Sequence, residues 1–319
     1  MTWTARPAGV AFLHVETPEW APEREVTAGL ASTLIGREFP ELRGAPVERL
    51  ATGWDNTVFR VGDHWVFRFP RRGMAVPGVE REIAVLPVLA PLLPLPVPVP
   101  RFAGTPSDDF PWPFWGARRL PGRELAEVRP AGRDRVALAA GTGAFLRVLH
   151  DPAVARTAGE GLPTDPMRRA DPAVRAPRAR GRLDAIAASG VWRRDAAAEE
   201  FLAAAEGLEA PAGEPVLVHG DLHVRHLLLA PGGLPSGVID WGDVCLAAPA
   251  VDLSLAYAGF EGAAREAFLA EYGPVPPEQE AAARTLALDL TATLAGYAAS
   301  TGRDALLAET LGGIRRALS

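Results

Sequence analysis

The sequence predicts an α+β fold of two lobes, a β-rich first third joined by a short connector to a mainly helical remainder. Three observations predict it. Strand patterns at 47–52, 56–61 and 64–69 follow one another, separated by turn signals at Gly53–Asp55 and Gly62–Asp63. The stretch WGARRLPG (115–122) then closes the strand-rich part at Pro121–Gly122. Beyond it, most of the chain has helical spacing, interrupted by three short apolar strands between 215 and 239.

Taken in order, residues 24–37 are moderately amphipathic and predict a helix ahead of the three strands. Residues 78–90 put Val79, Ile83, Leu86 and Leu89 or Ala90 near one helical face. The apolar run from Ile83 to Val99 resembles a membrane span in composition alone. It contains Pro87, Pro91, Pro94, Pro96 and Pro98, and a helix in hydrocarbon does not survive so many breaks. It reads as a helix end followed by an extended connector. Residues 102–122 suggest a hairpin and then a strand. Helices are expected at 133–150, through the Ala-rich 178–209, and at 262–272, 278–300 and 302–318. Strands at 215–218, 226–229 and 237–239 are expected to share one small sheet. The arginine-rich stretch 168–183 reads as a solvated helix face or loop. The expected boundaries are 1–115 for the first lobe, 116–122 for the connector and 123–319 for the second lobe.

Composition excludes several functions. The net charge of −6 offers no footprint for nucleic acid. A single cysteine, Cys245, rules out a disulfide framework and argues against a cysteine zinc site, as in a reducing cytoplasm; Cys245 itself reads as a small buried apolar residue. The amino terminus lacks the basic start and apolar run of a secretion signal. All 33 basic residues are arginine, and Asn56 and Gln279 are the only side-chain amides. Any task that needs a lysine falls to arginine in this chain.

The chemistry is concentrated in VLVHGDLHVRHLLLAPGGLPSGVIDWGD (216–243). A strand ends at His219, Gly220 permits a tight turn, and a loop presents Asp221. A second strand starts at His226, a turn spans Pro231–Pro235, and a third strand delivers Asp240 at its end. Phosphoryl transfer needs two such carboxylates, one to accept the attacking hydroxyl's proton and one to hold a divalent metal on the phosphates. Either Asp alone reads as a turn or cap residue. Together, at the spacing of His219, Asp221, Leu222, His226 and Asp240, they match the signature of protein kinases.

The motif HGDLH…H…IDWGD resembles the aminoglycoside phosphotransferase family of kinase-like enzymes. The resemblance extends to GWDNTVFRVGDHWVFRFPRR (53–72), residues 78–100, the connector and FLRVLH (145–150). It implies a two-lobed kinase-like fold and an ATP- or GTP-dependent phosphotransferase acting on a small-molecule hydroxyl. It assigns Asp221 as catalytic base and Asp240 as metal ligand, with Mg2+ or Mn2+ as the ion. Arg68 occupies the place of the phosphate-contacting lysine, and arginine can bind phosphate bidentately. Glu82 is its expected partner, with Glu80 the competitor on a different helix face. Gly53 and Asn56 belong to the phosphate-covering turn, and Arg118 to Leu120 form the connector that meets the purine. His219 is expected to brace the catalytic loop, and Asp243 to orient Asp240 or the loop. His150 reads as packing, His223 as facing solvent or substrate, and Asp252 as a cap of the following helix.

One departure stands out. Most relatives carry Asn where this chain has His226, whereas macrolide kinases are similar to this chain in carrying His. A neutral imidazole can ligate metal and suits manganese better than magnesium; the rival reading is a buried strand histidine. The acceptor is expected between Asp221 and the helices of 251–319. An aminoglycoside polycation would want acidic groups, for which Glu261, Glu266, Glu271 and Asp289 are candidates; a macrolide would want an apolar wall. Rival functions are a kinase of choline, homoserine or a sugar, and a non-catalytic nucleotide-binding protein. The expected state is a cytoplasmic monomer or weak dimer with no membrane partner.

Overall fold

The computed structural model describes residues 22–159 and 161–319. The reading of the amino terminus as lacking a secretion signal falls outside them. In the first lobe, helix α1 (Ala28–Glu38) precedes strands β1 (Val47–Thr52), β2 (Asn56–Val61) and β3 (Trp65–Pro70). Helix α2 (Val76–Leu89) and strands β4 (Pro100–Gly104) and β5 (Phe114–Arg118) complete it. The strands form one antiparallel sheet in the order β1-β2-β3-β5-β4.

Strand alternation gives this sheet two different faces. Phe59, Phe67, Phe69 and Phe114 turn to one side and are fully buried with Leu34 and Ile35 of α1. Phe69 and Phe114 stack at 4.5 Å between centroids. Their neighbours Arg68 and Trp115 turn to the other side, where α2 covers the sheet and presents Glu82. The run through Pro87 stays helical to Leu89. The proline-rich segment after it then crosses to the second lobe, where Pro96 O accepts the Val238 N–H at 3.0 Å.

The second lobe opens with β6 (Arg123–Glu124) and α3 (Leu125–Val128), then α4 (Asp134–Leu149), α5 (Pro152–Ala158), α6 (Pro172–Ala188) and α7 (Ala196–Ala205). The helix expected over 178–209 is thus two. Ser189 and Gly190, the latter at φ +75, end the first, and the Asp195 carboxylate caps the second through Ala197 N–H at 2.9 Å. Strands β7 (Val216–Val218), β8 (Leu227–Leu229), β9 (Pro235–Val238) and β10 (Cys245–Ala247) follow. They do not form one small sheet as expected. β7 pairs with β10, while β8 lies between β6 and β9. Helices α8 (Ala250–Gly259), α9 (Ala263–Tyr272), α10 (Pro277–Thr301) and α11 (Asp304–Leu318) build the rest around an apolar core. No helix among the described residues is long and apolar enough to cross a membrane.

Candidate active site

The β8–β9 hairpin sets the site. Leu227 lies opposite Val238, and the Ile239 N–H donates to His226 O at 3.0 Å, so His226 and Asp240 emerge side by side. His226 Nε2 stands 3.3 Å from Asp240 Oδ2. His226 Nδ1 stands 2.8 Å from the Asp221 carbonyl oxygen. A carbonyl only accepts, so Nδ1 carries a proton and Nε2 is the atom that faces Asp240. Asp240 itself has φ +69, a left-handed conformation that few residues other than glycine adopt. Its Oδ1 pairs with Arg68 Nη2. Burial opposes ionisation of Asp240, yet Arg68 and His226 hold its carboxyl well below the usual range. Burial likewise opposes the charged form of His226, and Asp240 outweighs it, raising the imidazole.

Asp221 is delivered by a loop that is fixed along its backbone. At Gly220, φ is +90 and a Cβ would stand 2.2 Å from Asp243 O, so only glycine lets the loop press against that residue. The buried Asp252 carboxylate of α8 accepts the His219 N–H at 2.7 Å and the Gly220 N–H at 3.1 Å. Asp252 therefore holds this loop rather than capping its own helix, because its side chain turns away from the helix end toward two buried amides. His150, expected only to pack, meets the same carboxylate through Nε2 at 3.3 Å and the Tyr272 hydroxyl through Nδ1 at 2.8 Å. His219 Nδ1 accepts the Asp221 N–H at 3.2 Å and its Nε2 donates to Ile239 O at 3.0 Å. Burial pushes His219 down to about 4, so it braces the loop as a neutral ring.

The Asp221 carboxylate meets Arg169 Nη2 at 3.5 Å through Oδ1, while Oδ2 lies 3.7 Å from His223 Nε2. Burial pushes Asp221 up to about 6, against the pull of Arg169 and His226. Asp243 is 2.9 Å from the same Arg169 nitrogen. Asp221, His223 and His226 have the mutual spacing of a metal site. The hydrogen bonds remove His223 from it. Its Nδ1 accepts the Arg225 N–H at 3.3 Å, so the proton sits on Nε2 and points at Asp221.

On the first-lobe side, Arg68 Nη1 lies 3.1 Å from Glu82 Oε1. Glu82 is fully buried and also accepts Trp115 Nε1–H at 3.1 Å and the Trp241 N–H at 3.0 Å, while Glu80 is exposed. Burial raises the Glu82 carboxyl to about 7 against the Arg68 charge. Gly53 donates its N–H to Asn56 O at 2.9 Å, closing the β1–β2 turn. Two arginines hold this turn from behind: Arg71 Nη1 donates to Gly53 O at 2.6 Å, and Arg72 pairs with Asp55. Asn56 Oδ1 is buried without a partner. Arg118 is exposed at the end of β5, the Arg119 N–H is taken by His64 O at 2.7 Å, and Leu120 packs over Gly237.

The residues at the hairpin suit a divalent cation. With Nδ1 of His226 committed to a carbonyl, Nε2 has a lone pair to offer beside Asp240 Oδ2, and two acceptors 3.3 Å apart attract a cation or a proton between them.

Sequence reasoning did not reach Arg169, the loop-holding role of Asp252, or Arg71 and Arg72. Arg169 and Asp252 lie outside both motifs, and Arg71 and Arg72 sit in a matched segment without a pattern of their own. Of the expected acidic wall, Asp289 does not reach the surface. Asp289 is fully buried between Arg175 (3.0 Å) and Arg182 (2.6 Å), and Glu261, Glu266 and Glu271 sit on or beside α9, which packs along α4. Arg175 and Arg169 in turn show that 168–183 is not simply a solvated face.

A two-lobed α+β fold with paired strand-end carboxylates across from a buried Arg–Glu pair defines a kinase-like phosphotransferase. The chain belongs to the phosphotransferase enzyme family, whose model matches residues 46–286. Solved structures agree in fold. An aminoglycoside 2'-phosphotransferase-IIIa bound to GDP is 21% identical, with 92% of this chain and 99% of that chain covered and a TM-score of 0.65. An aminoglycoside phosphotransferase with GDP and kanamycin is 22% identical over 90% and 97% of the two chains, with a TM-score of 0.62. A macrolide 2'-phosphotransferase from Brachybacterium faecium is 24% identical over 89% and 97%, with a TM-score of 0.55. Among curated protein sequences, none matches.

Proposed function

We propose that this protein moves the γ-phosphoryl group of ATP or GTP onto a hydroxyl of an antibiotic-like small molecule, with Asp221 as the base. The observation that carries the reading is the meeting of Asp221, Asp240 and His226 opposite Arg68 and Glu82. The nucleotide lies between a lobe ending at 115 and a lobe starting at 123, with 116–122 as the connector and the backbone of Arg118 to Leu120 against the purine. Gly53 and Asn56 cover the phosphates, and Arg68, oriented by Glu82, contacts them.

Asp221 takes the proton of the acceptor hydroxyl as its oxygen bonds to the γ-phosphorus. The bond to the β–γ bridging oxygen breaks, and the diphosphate leaves. Positioning and fixed charge supply most of the acceleration in such a transfer. Asp240 and His226 would hold Mg2+ or Mn2+, which when bound neutralises charge on the phosphates. His219 braces the loop, and Asp243 orients Asp240 or the loop.

The acceptor side favours a macrolide-like molecule over a polycation. Arg169 stands beside Asp221, and the Asp289 carboxylate is consumed by two arginines. With the Asp221 and Asp289 carboxylates each already facing arginine, a polycation would find no free carboxylate in this pair. The test is triphosphate consumption against macrolides, aminoglycosides, choline, homoserine and sugars, with both ATP and GTP, and detection of the phosphorylated product by mass spectrometry. Tight nucleotide binding with no product from any acceptor would make the protein a non-catalytic binder.

A further inference from the structure

We propose that Arg169 is a positioning residue for the transfer step, orienting the Asp221 carboxylate by tying it to Asp243. This rests on the reading of Asp221 as the base. Arg169 belongs to neither motif and reaches the site from a loop between α5 and α6.

That loop is built to hold one side chain still. Thr164 bridges to Leu246 in parallel, the Leu246 N–H donates to Pro163 O at 2.9 Å, and the Asp165 N–H returns to Leu246 O at 2.8 Å. The Asp165 carboxylate accepts the N–H groups of Arg169 (2.7 Å) and Ala170 (2.9 Å). From the opposite side the buried Arg175 donates to the carbonyls of Met167 and Arg168, while its Nη1 is fixed by Asp289. Ordering of this kind is in place before substrate arrives.

The product of that ordering is a guanidinium with a 13% exposed side chain, whose Nη2 lies 2.9 Å from Asp243 Oδ2 and 3.5 Å from Asp221 Oδ1. Three carboxylates, Asp221, Asp240 and Asp243, crowd this end of the cleft. Arg68 and His226 serve Asp240. Arg169 serves the other two, which repel each other without it. Because it engages Oδ1, it leaves Oδ2, 3.7 Å from His223 Nε2, as the Asp221 oxygen without a guanidinium beside it. A misplacement of about 1 Å at a reacting group can cost on the order of 10²-fold in rate, so a small turn of this carboxylate matters.

The experiment compares wild type with Arg169→Met and Arg169→Lys by crystallography and steady-state kinetics. In Arg169→Met the Asp221 carboxylate turns from its wild-type orientation, kcat falls roughly 10–100-fold, KM for the triphosphate holds, and added guanidinium ion restores part of kcat. Arg169→Lys, which keeps the charge without the planar fork, lies between. An unchanged Asp221 orientation overturns the proposal, as does an unchanged kcat or a loss that follows thermal stability and resists guanidinium. If Arg169→Met does not fold, Arg169→Lys carries the same comparison. If wild type transfers no phosphoryl group, the functional reading fails, and the two crystal structures still decide whether Arg169 orients Asp221.

Discussion

In the helical lobe, Glu309 of α11 receives Arg135 as a fork, Nη1 to Oε1 at 2.9 Å and Nη2 to Oε2 at 2.7 Å, and Arg316 donates to it as well. Other donors of these arginines reach the carbonyls of Pro130, Ala258, Gly259 and Glu309. In the cleft, two guanidinium groups, Arg68 and Arg169, face four carboxylates, Glu82, Asp221, Asp240 and Asp243. There Arg68 Nε is buried without a partner, and Asp240 sits in a left-handed conformation. Both clusters are ionic and largely buried. The first is closed and satisfied, as a structural network must be. The second has an excess of negative charge and backbone strain, which fits a place completed by a cation and a phosphate rather than by the protein alone.

Substitutions sharpen that contrast, because the open cluster should lose function where the closed one loses stability. The largest effect is expected for Asp221→Asn. The rate should fall by roughly 10²–10⁴, with nucleotide affinity measured by calorimetry nearly unchanged; retention of most of kcat would remove Asp221 from the base role. In wild type the rate should decline as pH drops through about 6, because a protonated Asp221 cannot accept a proton.

Next is Glu309→Ala, which strands two buried arginines. A destabilisation of about 3–5 kcal/mol in urea unfolding is expected, with KM and kcat of the folded fraction preserved. A stable variant with poor kinetics would erase the distinction between the clusters. Arg68→Ala should weaken binding of a non-hydrolysable triphosphate by roughly 1.5–3 kcal/mol, and Glu82→Ala by less. The exposed Glu80→Ala should stay within about 0.5 kcal/mol of wild type, and titration calorimetry ranks all three.

The last effect concerns His226. A ligating imidazole must be neutral, and Asp240 raises its pKa, so protons compete with the cation as pH falls below neutral. Metal affinity of wild type should then drop by up to about tenfold per pH unit, while His226→Asn stays flat. Equal slopes in manganese titrations of the two proteins would take His226 out of the ligand set.

Much of this architecture can be read in advance where period and pairing are local. The expected strands at 47–52 and 56–61 coincide with β1 and β2, and 64–69 is one residue from β3, because alternation fixes register within a hairpin. Glu82 could be preferred over Glu80 because a helix separates their faces, and the structure gives Arg68 to Glu82. Long-range partners were not legible. Nothing near Asp221 announces Arg169, whose loop is held by Asp165 and Arg175 through contacts with β10 and α10. Likewise β7 has the composition of a strand of the β8–β9 sheet, and only the three-dimensional course of Cys245–Ala247 gives it another partner.

At Gly78, a Cβ would stand 2.9 Å from the carbonyl oxygen of Gly242, two residues past Asp240. Helix α2 thus leans on that loop backbone to backbone, flanked by Arg81 Nη2 donating to Gly242 O at 2.7 Å and by Glu82 accepting the Trp241 N–H. Such a joint has no side chain to cushion displacement. Any displacement of the helix from the loop would lose all three contacts together. A single methyl group added at position 78 would therefore register at Asp240 as a shift in its geometry, although it does not touch Asp240.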